Sequence, residues 1–310
     1  MGTVHDLLEA HGKQVALNLD LDRGAVEAAS SYLADEDTSV GYLFSGWTQA
    51  ALPHKRLADD QVWEIRTQRV TLLVEPGRRP NPVEGLSPIS VGVPFGSRAR
   101  LIMLYLQTEA LKTGCREVEL GRSLRFWFTR LGIAPGGKSI REVREQAERI
   151  SRCRLSFHMP AAKGGPGGLV NQNIVDTAMF MDAESPDQGI LFLETVKLSE
   201  SFFEQLKKHP VPIEEAAIRA ISNNSMALDI YCWLSYRLHV LKSPTPVTWT
   251  ALKAQFGAGF SKLAQFKYKF QPNLQLALAV YREAKVGVDE RGLILHPSRP
   301  PVAPKQLVAR

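Results

Sequence analysis

The sequence predicts an α+β fold, mainly helical and built as two tandem winged helix-turn-helix domains. Three observations carry that prediction. Helical and strand-like hydrophobic periods alternate in the order helix, strand, helix, turn, helix, hairpin. That order repeats more loosely in the C-terminal half, with the prolines of "KKHPVPIEE" between the two runs. Residues 95–155, where the first pair of helices falls, carry 13 Lys/Arg against 6 Asp/Glu, a net of +7.

The expected domains are a partly flexible N-terminal segment (1–60), a first winged-helix domain (61–209), a second (210–300) and a C-terminal tail (301–310). "VWEIRTQRVTLLVEPG" is rich in β-branched residues and closes on Pro-Gly, so it reads as a strand or bulged pair. "RRPNPVEGLSP" is a loop by composition. A helix runs from Ser97, with Leu101, Leu104, Tyr105, Thr108 and Leu111 at helical spacing, and stops at Gly114. "REVEL" is a short strand. Ser123 caps a second helix whose Leu124, Trp127, Phe128 and Leu131 share a face, and a third helix spans Ser139 to about Cys153. "CRLSFHM" and "LVNQNIVDTAMFMD" are strands flanking the glycine-rich loop "PAAKGGPGG". "GILFLETVKL" is another strand, and it leads into the helix "SESFFEQLKKH". In the C-terminal half, "IEEAAIRAISNN", "SMALDIYCWLSYRLHVLK" and "PVTWTALKAQFG" are helical, "SKLAQFKYKFQPNLQLALAVYREA" is a long helix, and "KVGVDERGLILHP" is a hairpin.

Charge directs the functional reading. Residues 1–94 carry 8 Lys/Arg against 13 Asp/Glu, and residues 156–310 carry 17 against 13, so the central excess marks the contact surface for a polyanion. No apolar run approaches membrane-spanning length, and "MGTVHDLLEAHGK" lacks a signal-peptide layout, which points to a cytosolic protein with no membrane partner. Cys115, Cys153 and Cys232 form neither a zinc spacing nor a disulfide framework and read as buried or neutral thiols.

"GIAPGGKS", Gly132 to Ser139, spells the G-x-x-x-x-G-K-S of a phosphate-binding loop. The motif needs a buried parallel strand before it. "SLRFWFTRL" instead has helical apolar spacing with Arg122, Arg125 and Arg130 on its other faces, which ill suits such a strand. "SIRE" is an S-x-x-E capping box, in which Ser139 begins a helix and Glu142 reaches back. Lys138 then becomes a basic residue at the leading end of the third helix, and a P-loop NTPase is the remote alternative.

The second helix of a helix-turn-helix enters the major groove with its N-terminal residues on base edges. Setting Ile140, Val143, Ala147 and Ile150 inward turns Lys138, Arg141, Glu142, Glu145, Arg149 and Arg152 outward, with Arg144 on the flank. The i,i+4 pairs Arg141–Glu145, Arg144–Glu148, Glu145–Arg149 and Glu148–Arg152 also fit a solvated, salt-bridged face. Lys163 sits at the wing position. In the long C-terminal helix, Leu263, Phe266, Phe270 and Leu274 point inward. Ser261, Gln265, Tyr268 and Lys269 then point out, with Lys262 and Lys267 on the flanks and Pro272 on the exposed side. Gln reads adenine, while Tyr and Lys hold phosphate. The candidate DNA-binding residues are therefore Lys138, Ser139, Arg141, Arg144, Arg149, Lys163, Lys262, Gln265, Lys267, Tyr268, Lys269 and Arg291. The scattered histidines form no metal or catalytic motif, and His158 and His239 read as structural. No catalytic residue, metal or cofactor is expected, and the protein reads as a non-enzyme.

Several stretches resemble the plasmid-encoded RepA-type replication initiators: "VGVPFGSRARLIMLYLQTEALKTGCREVELGRSLRFWFTRLGI", "GGKSIREVREQAERISRCRLSF", "SFFEQLKKHPVPI", "LDIYCWLSYRLHVL" and "LALAVYREAKV…GLILHPSRPPV". They cover roughly Val91 to Val302. The resemblance implies a protein that binds repeated origin sequences (iterons) on double-stranded plasmid DNA, opens adjacent AT-rich DNA and recruits host helicase and host initiator. It also implies that some relatives act as monomers at the origin while homodimers repress their own gene; a winged-helix transcriptional repressor is the alternative function. By the same analogy Lys138, Arg141 and Arg144, and Lys262, Gln265, Tyr268 and Lys269, lie on the two reading helices.

Overall fold

A computed structural model describes residues 4–19, 21–119, 129, 132–133, 136–159, 168–180 and 193–303, as α-helices with small sheets. The chain divides into two units, one of residues 1–48 with 211–310 and one of 49–210.

In the first unit, α1 (Val4–Asn18) is kinked at Gly12, whose φ of +77° suits glycine. The side chain of Asp22 caps α2 (Arg23–Leu33) by accepting from the Ala25 amide at 2.8 Å. The small buried residues Ala25, Ala28 and Ala29, with Val26, let α2 lie against α9 (Leu263–Ala279). His5 of α1 donates to the Ala279 carbonyl at 2.7 Å, and Arg282 clamps Glu9 at 2.6 and 3.0 Å. Residues 1–48 are thus placed differently from the sequence expectation of a loosely attached segment, because their apolar face covers the C-terminal half of α9. β1 (Val40–Phe44) pairs with β11 (Pro210–Glu214), and Arg219 of α6 (Glu215–Ala220) binds Asp35 and Asp37.

The rest of this unit follows the order α7 (Ser225–Arg237), β12 (Thr245–Thr248), α8 (Trp249–Phe256), α9, β13 (Val286–Val288), β14 (Gly292–Leu295). Its antiparallel sheet runs β12–β14–β13. "PVTWTALKAQFG" is therefore not helical throughout: Pro246 to Thr248 form a strand, and the Thr248 hydroxyl caps α8 through the Ala251 amide. Between α8 and α9 sits an aromatic core. Phe266 packs on Phe270 (5.1 Å), Phe256 on Phe270 (5.7 Å), Trp249 on Phe270 (5.9 Å) and Trp233 on Phe256 (5.4 Å). Each fully buried Phe contributes about 1.5–3 kcal/mol, and each ring pair adds roughly 0.5–1.5 kcal/mol.

In the second unit, β2 (Trp63–Arg66) and β3 (Thr71–Glu75) form the anticipated strand pair. They continue into β7 (Arg154–Met159) and β8 (Gly168–Asn173) as the sheet β2–β3–β7–β8. Leu72 opposite Phe157 and Val74 opposite Leu155 put four buried side chains on one face, the period-2 pattern of a half-buried sheet. β4 (Gly77–Arg79) takes in Arg78 and Arg79, the first two residues of the expected loop, and pairs with β5 (Ile89–Gly92) beyond it. α3 (Gly96–Thr113) ends at Gly114 in the left-handed conformation (φ +68°), as its sequence indicated. β6 (Glu117–Glu119) joins β10 (Leu193–Leu198) and β9 (Val175–Phe180) in the order β6–β10–β9. "LVNQNIVDTAMF", read as one strand, changes sheet at Ile174, β8 belonging to one sheet and β9 to the other. α4 (Gly137–Arg152) precedes β7, and α5 (Glu200–Lys208) is capped by the Ser199 hydroxyl. Of the helix expected from Ser123 only Thr129 is among the described residues, and the loop carrying Lys163 lies outside them.

Cys153 and Cys232 are buried as expected, and burial pushes the Cys153 thiol up to about 12. Cys115, by contrast, is exposed.

Candidate nucleic-acid interface

On α9 the buried stripe is Phe266, Phe270, Leu274 and Ala277, and the first two turns show Lys262, Gln265, Tyr268 and Lys269 to solvent. No Asp or Glu occurs between Leu263 and Ala279. Tyr268 is 73% exposed, with the Lys269 ammonium 5.3 Å from its ring centroid, so the phenol and the charge form one projecting unit. Lys267 turns sideways. Its ammonium lies 5.2 Å from the Trp249 ring and donates to the Glu290 carbonyl at 3.4 Å. That bond ties the β13–β14 turn to α9. The turn is held by Asp289, whose carboxylate accepts from the amides of Arg291 and Gly292 at 2.7 Å each. Gly292 is required there, since a Cβ would stand 2.0 Å from the Val247 carbonyl oxygen. Arg291 is thereby presented, exposed, beside the first half of α9. In the second half, Leu276 lies beside Gly24 of α2, while Gln271, Pro272 and Gln275 stay exposed.

Leu263 departs from the sequence expectation. It was to point inward with Phe266, yet it is 37% exposed. Phe260, folding back from the α8–α9 turn, packs edge-on against Phe266 at 5.9 Å. Phe260 thus supplies the apolar cover that was expected from Leu263.

α4 differs more. Arg149, expected outward, is 2% exposed and fully engaged. It donates to the Val93 carbonyl (3.1 Å), to Asp59 (2.8 Å) and to Glu145 (2.8 Å), and its guanidinium lies 5.1 Å from the Phe95 ring centroid. Gln146, also buried, accepts the Phe95 amide at 2.8 Å. Gly92 (φ +81°) permits this approach, because a Cβ there would stand 1.9 Å from the Arg149 guanidinium. Arg56 closes the network on Glu145 (3.0 Å) and Asp59 (3.2 Å). Val143, Ala147 and Ile150 are buried as expected, and the buried face is wider than expected because Gln146 and Arg149 join them. Reading Ile, Val and Ala alone as the buried face could not show this, since the loop that supplies Asp59 is remote in sequence.

The exposed side chains of α4 are Lys138 and Arg141, and Ser139 and Arg144 are among those partly exposed. The capping box is not formed. The helix begins at Gly137, its cap Gly136 makes no side-chain cap bond, and Ser139 is inside the first turn. Glu142 instead pairs with Arg98 (3.3 Å) and Lys138 (3.9 Å). Glu148 takes Arg152 (3.4 Å) and lies 3.8 Å from Arg79. Among the described residues before "GIAPGGKS", Thr129 is helical, and every strand register described is antiparallel.

His239 bonds the Ser235 carbonyl (2.9 Å), and His158 sits in β7 opposite Thr71. Among the described residues no helix is long and apolar enough to cross a membrane, and no group of three or more His, Cys, Asp or Glu is placed to hold a metal.

No curated protein sequence matches the chain. Among solved structures it is similar to domains 2 and 3 of RctB, at a TM-score of 0.52 and 12% identity over 84% of this chain and 99% of that one. A second crystal structure of RctB domains 2–3 gives a TM-score of 0.45, 12% identity, and 78% and 84% coverage. The first likeness shows a shared fold. The sequence model of plasmid-encoded RepA proteins matches residues 93–250, just over half of the chain, from the Val93 carbonyl that Arg149 holds through the start of α8. The chain therefore belongs to the family of plasmid-encoded RepA proteins, the replication initiators that its sequence motifs resemble.

Proposed function

We propose that this initiator binds repeated origin sequences on its plasmid sequence-specifically through two winged helix-turn-helix elements, promotes opening of the adjacent DNA and recruits the host helicase. It acts by binding, without catalytic chemistry. The observation that carries the reading is the acid-free exposed face of α9, with Lys262, Gln265, Tyr268 and Lys269 on it and Arg291 on the neighbouring hairpin turn. The order α7–β12–α8–α9–β13–β14 with the sheet β12–β14–β13 supports it, being helix, strand, helix, turn, helix and wing. In that arrangement α9 enters the major groove, Gln265 takes an adenine edge, and the cationic groups hold phosphates.

In the unit of residues 49–210, α4 contributes mainly phosphate contacts through Lys138, Arg141 and Arg144. Its acidic residues are occupied by arginines, and a guanidinium already bonded to Asp59 and Glu145 is not free for a phosphate. Arg149 accordingly leaves the set of contact residues. A phosphate contact by Lys138 predicts that Lys138→Ala weakens DNA binding and flattens its salt dependence, whereas a nucleotide-hydrolysis role predicts loss of hydrolysis.

A band-shift assay on plasmid origin DNA tests the proposal. Discrete, salt-sensitive complexes that resist unrelated duplex are expected. Deleting the gene separates initiator from repressor, since loss of an initiator ends plasmid replication and loss of a repressor leaves it intact.

A further inference from the structure

Leu263 is the first residue of α9, and it is turned to solvent because Phe260 packs on Phe266. Ala264 beside it is exposed as well, and Gln265 follows. The leading turn of the helix therefore offers two apolar side chains and an amide, with Lys262 just before them and Tyr268 and Lys269 one turn on. N-terminal residues of a groove-entering helix meet base edges rather than the backbone. An exposed leucine there has one apolar counterpart in the major groove, the C5 methyl group of thymine. A cytosine amino group or a guanine edge would lose water against Leu263 without gaining a hydrogen bond.

We propose that Leu263 is a specificity-determining residue of this interface, packing on a thymine methyl in the major groove. With Gln265 on a neighbouring adenine, the leading turn of α9 selects an A·T-containing step. This rests on the reading of α9 as the groove-entering helix and adds to it the identity of the base that Leu263 contacts. Charge complementarity favours DNA over a second protein copy as the occupant, since Lys262, Lys269 and the Arg291 turn surround the apolar pair and α9 carries no acid.

The test uses the full chain and a site selected from a random duplex pool, with each thymine replaced in turn by uracil. That exchange removes the methyl and leaves base pairing unchanged. At one or two positions wild-type affinity should fall about fourfold, the worth of burying one methyl group. In Leu263→Ala the same replacements should have no effect, while sensitivity at other positions persists. The proposal is overturned if no replacement weakens the wild type, or if Leu263→Ala keeps the full wild-type sensitivity everywhere. It is overturned also if the variant loses self-association while its uracil profile is unchanged, which would make Leu263 a protein contact. Failure of the selection to enrich any sequence would instead remove the reading of α9 itself.

Discussion

Arg149 and Arg141 sit about two turns apart on α4, and only the second is available to a polyanion. Arg149 is buried against Val93, Asp59, Glu145 and Phe95, while Arg141 is exposed. Replacing Arg149 by Met leaves the buried Val93 carbonyl and two partly exposed carboxylates without their donor and should lower the stability of its unit by about 1–3 kcal/mol. Arg141→Ala should leave the melting temperature within the range of ordinary surface changes and reduce the slope of log affinity against log salt by about 1. Thermal melts and salt-titrated binding on both variants check the pair. Burial pushes the Asp59 carboxyl up, but the Arg149 hydrogen bond and charge, with those of Arg56, hold it below the usual carboxylate value. Its contribution is present above that usual value and is lost as pH falls through the lowered one. Arg149→Met should therefore weaken the acid dependence of stability along with stability itself.

Among the elements, α3, α4 and α9 were legible because the 3.6-residue period repeats over four or more turns and Gly114 ends α3 in a conformation that glycine favours. The edges of their buried faces were less legible. A helix's apolar stripe predicts its buried side only where its neighbours are apolar too. Arg149 goes inward to meet Asp59, and Leu263 goes outward because Phe260 supplies the cover on Phe266. The change of sheet at Ile174 could not be read either, since β8 and β9 both alternate and only distant pairing separates them. α1 offers an element-scale prediction. His5 is buried, its Nε2 donates to Ala279 and its ring edge meets Tyr32; Asp6, Glu9 and Arg282 are the charges around it. Burial lowers its pKa, against the opposing pull of the Ala279 bond. A lowered histidine contributes stability above its ordinary value near 6.5 and loses it as pH falls from there toward the lowered value. His5→Gln should flatten the fall in stability as pH drops below about 6.5, measured by denaturant titration at each pH.

At the scale of the whole molecule, the first 48 residues belong to the unit of residues 211–310 although more than 160 residues intervene. Sequence patterns could not join them, because the join rests on tertiary pairs such as His5 with Ala279, Glu9 with Arg282 and Tyr32 with Glu214. A fragment of residues 49–210 should melt in a single cooperative transition. A fragment of 211–310 alone should melt well below the same segment supplied with residues 1–48, because the α9 face that α2 covers is opened to water. In "GIAPGGKS", Gly136 is the N-cap of α4 and Lys138 is an exposed cation at its leading end.

Equilibrium binding of the full chain to origin and unrelated duplexes, across a range of salt, tests the central claim most directly when wild type is compared with Lys262→Ala, Gln265→Ala and Lys269→Ala. The account predicts strong preference for the origin duplex. Each lysine variant should lose about one unit of salt slope, and Gln265→Ala should lose about 1–3 kcal/mol of discrimination. Equal affinity for both duplexes at physiological salt, or variants indistinguishable from wild type, would contradict it.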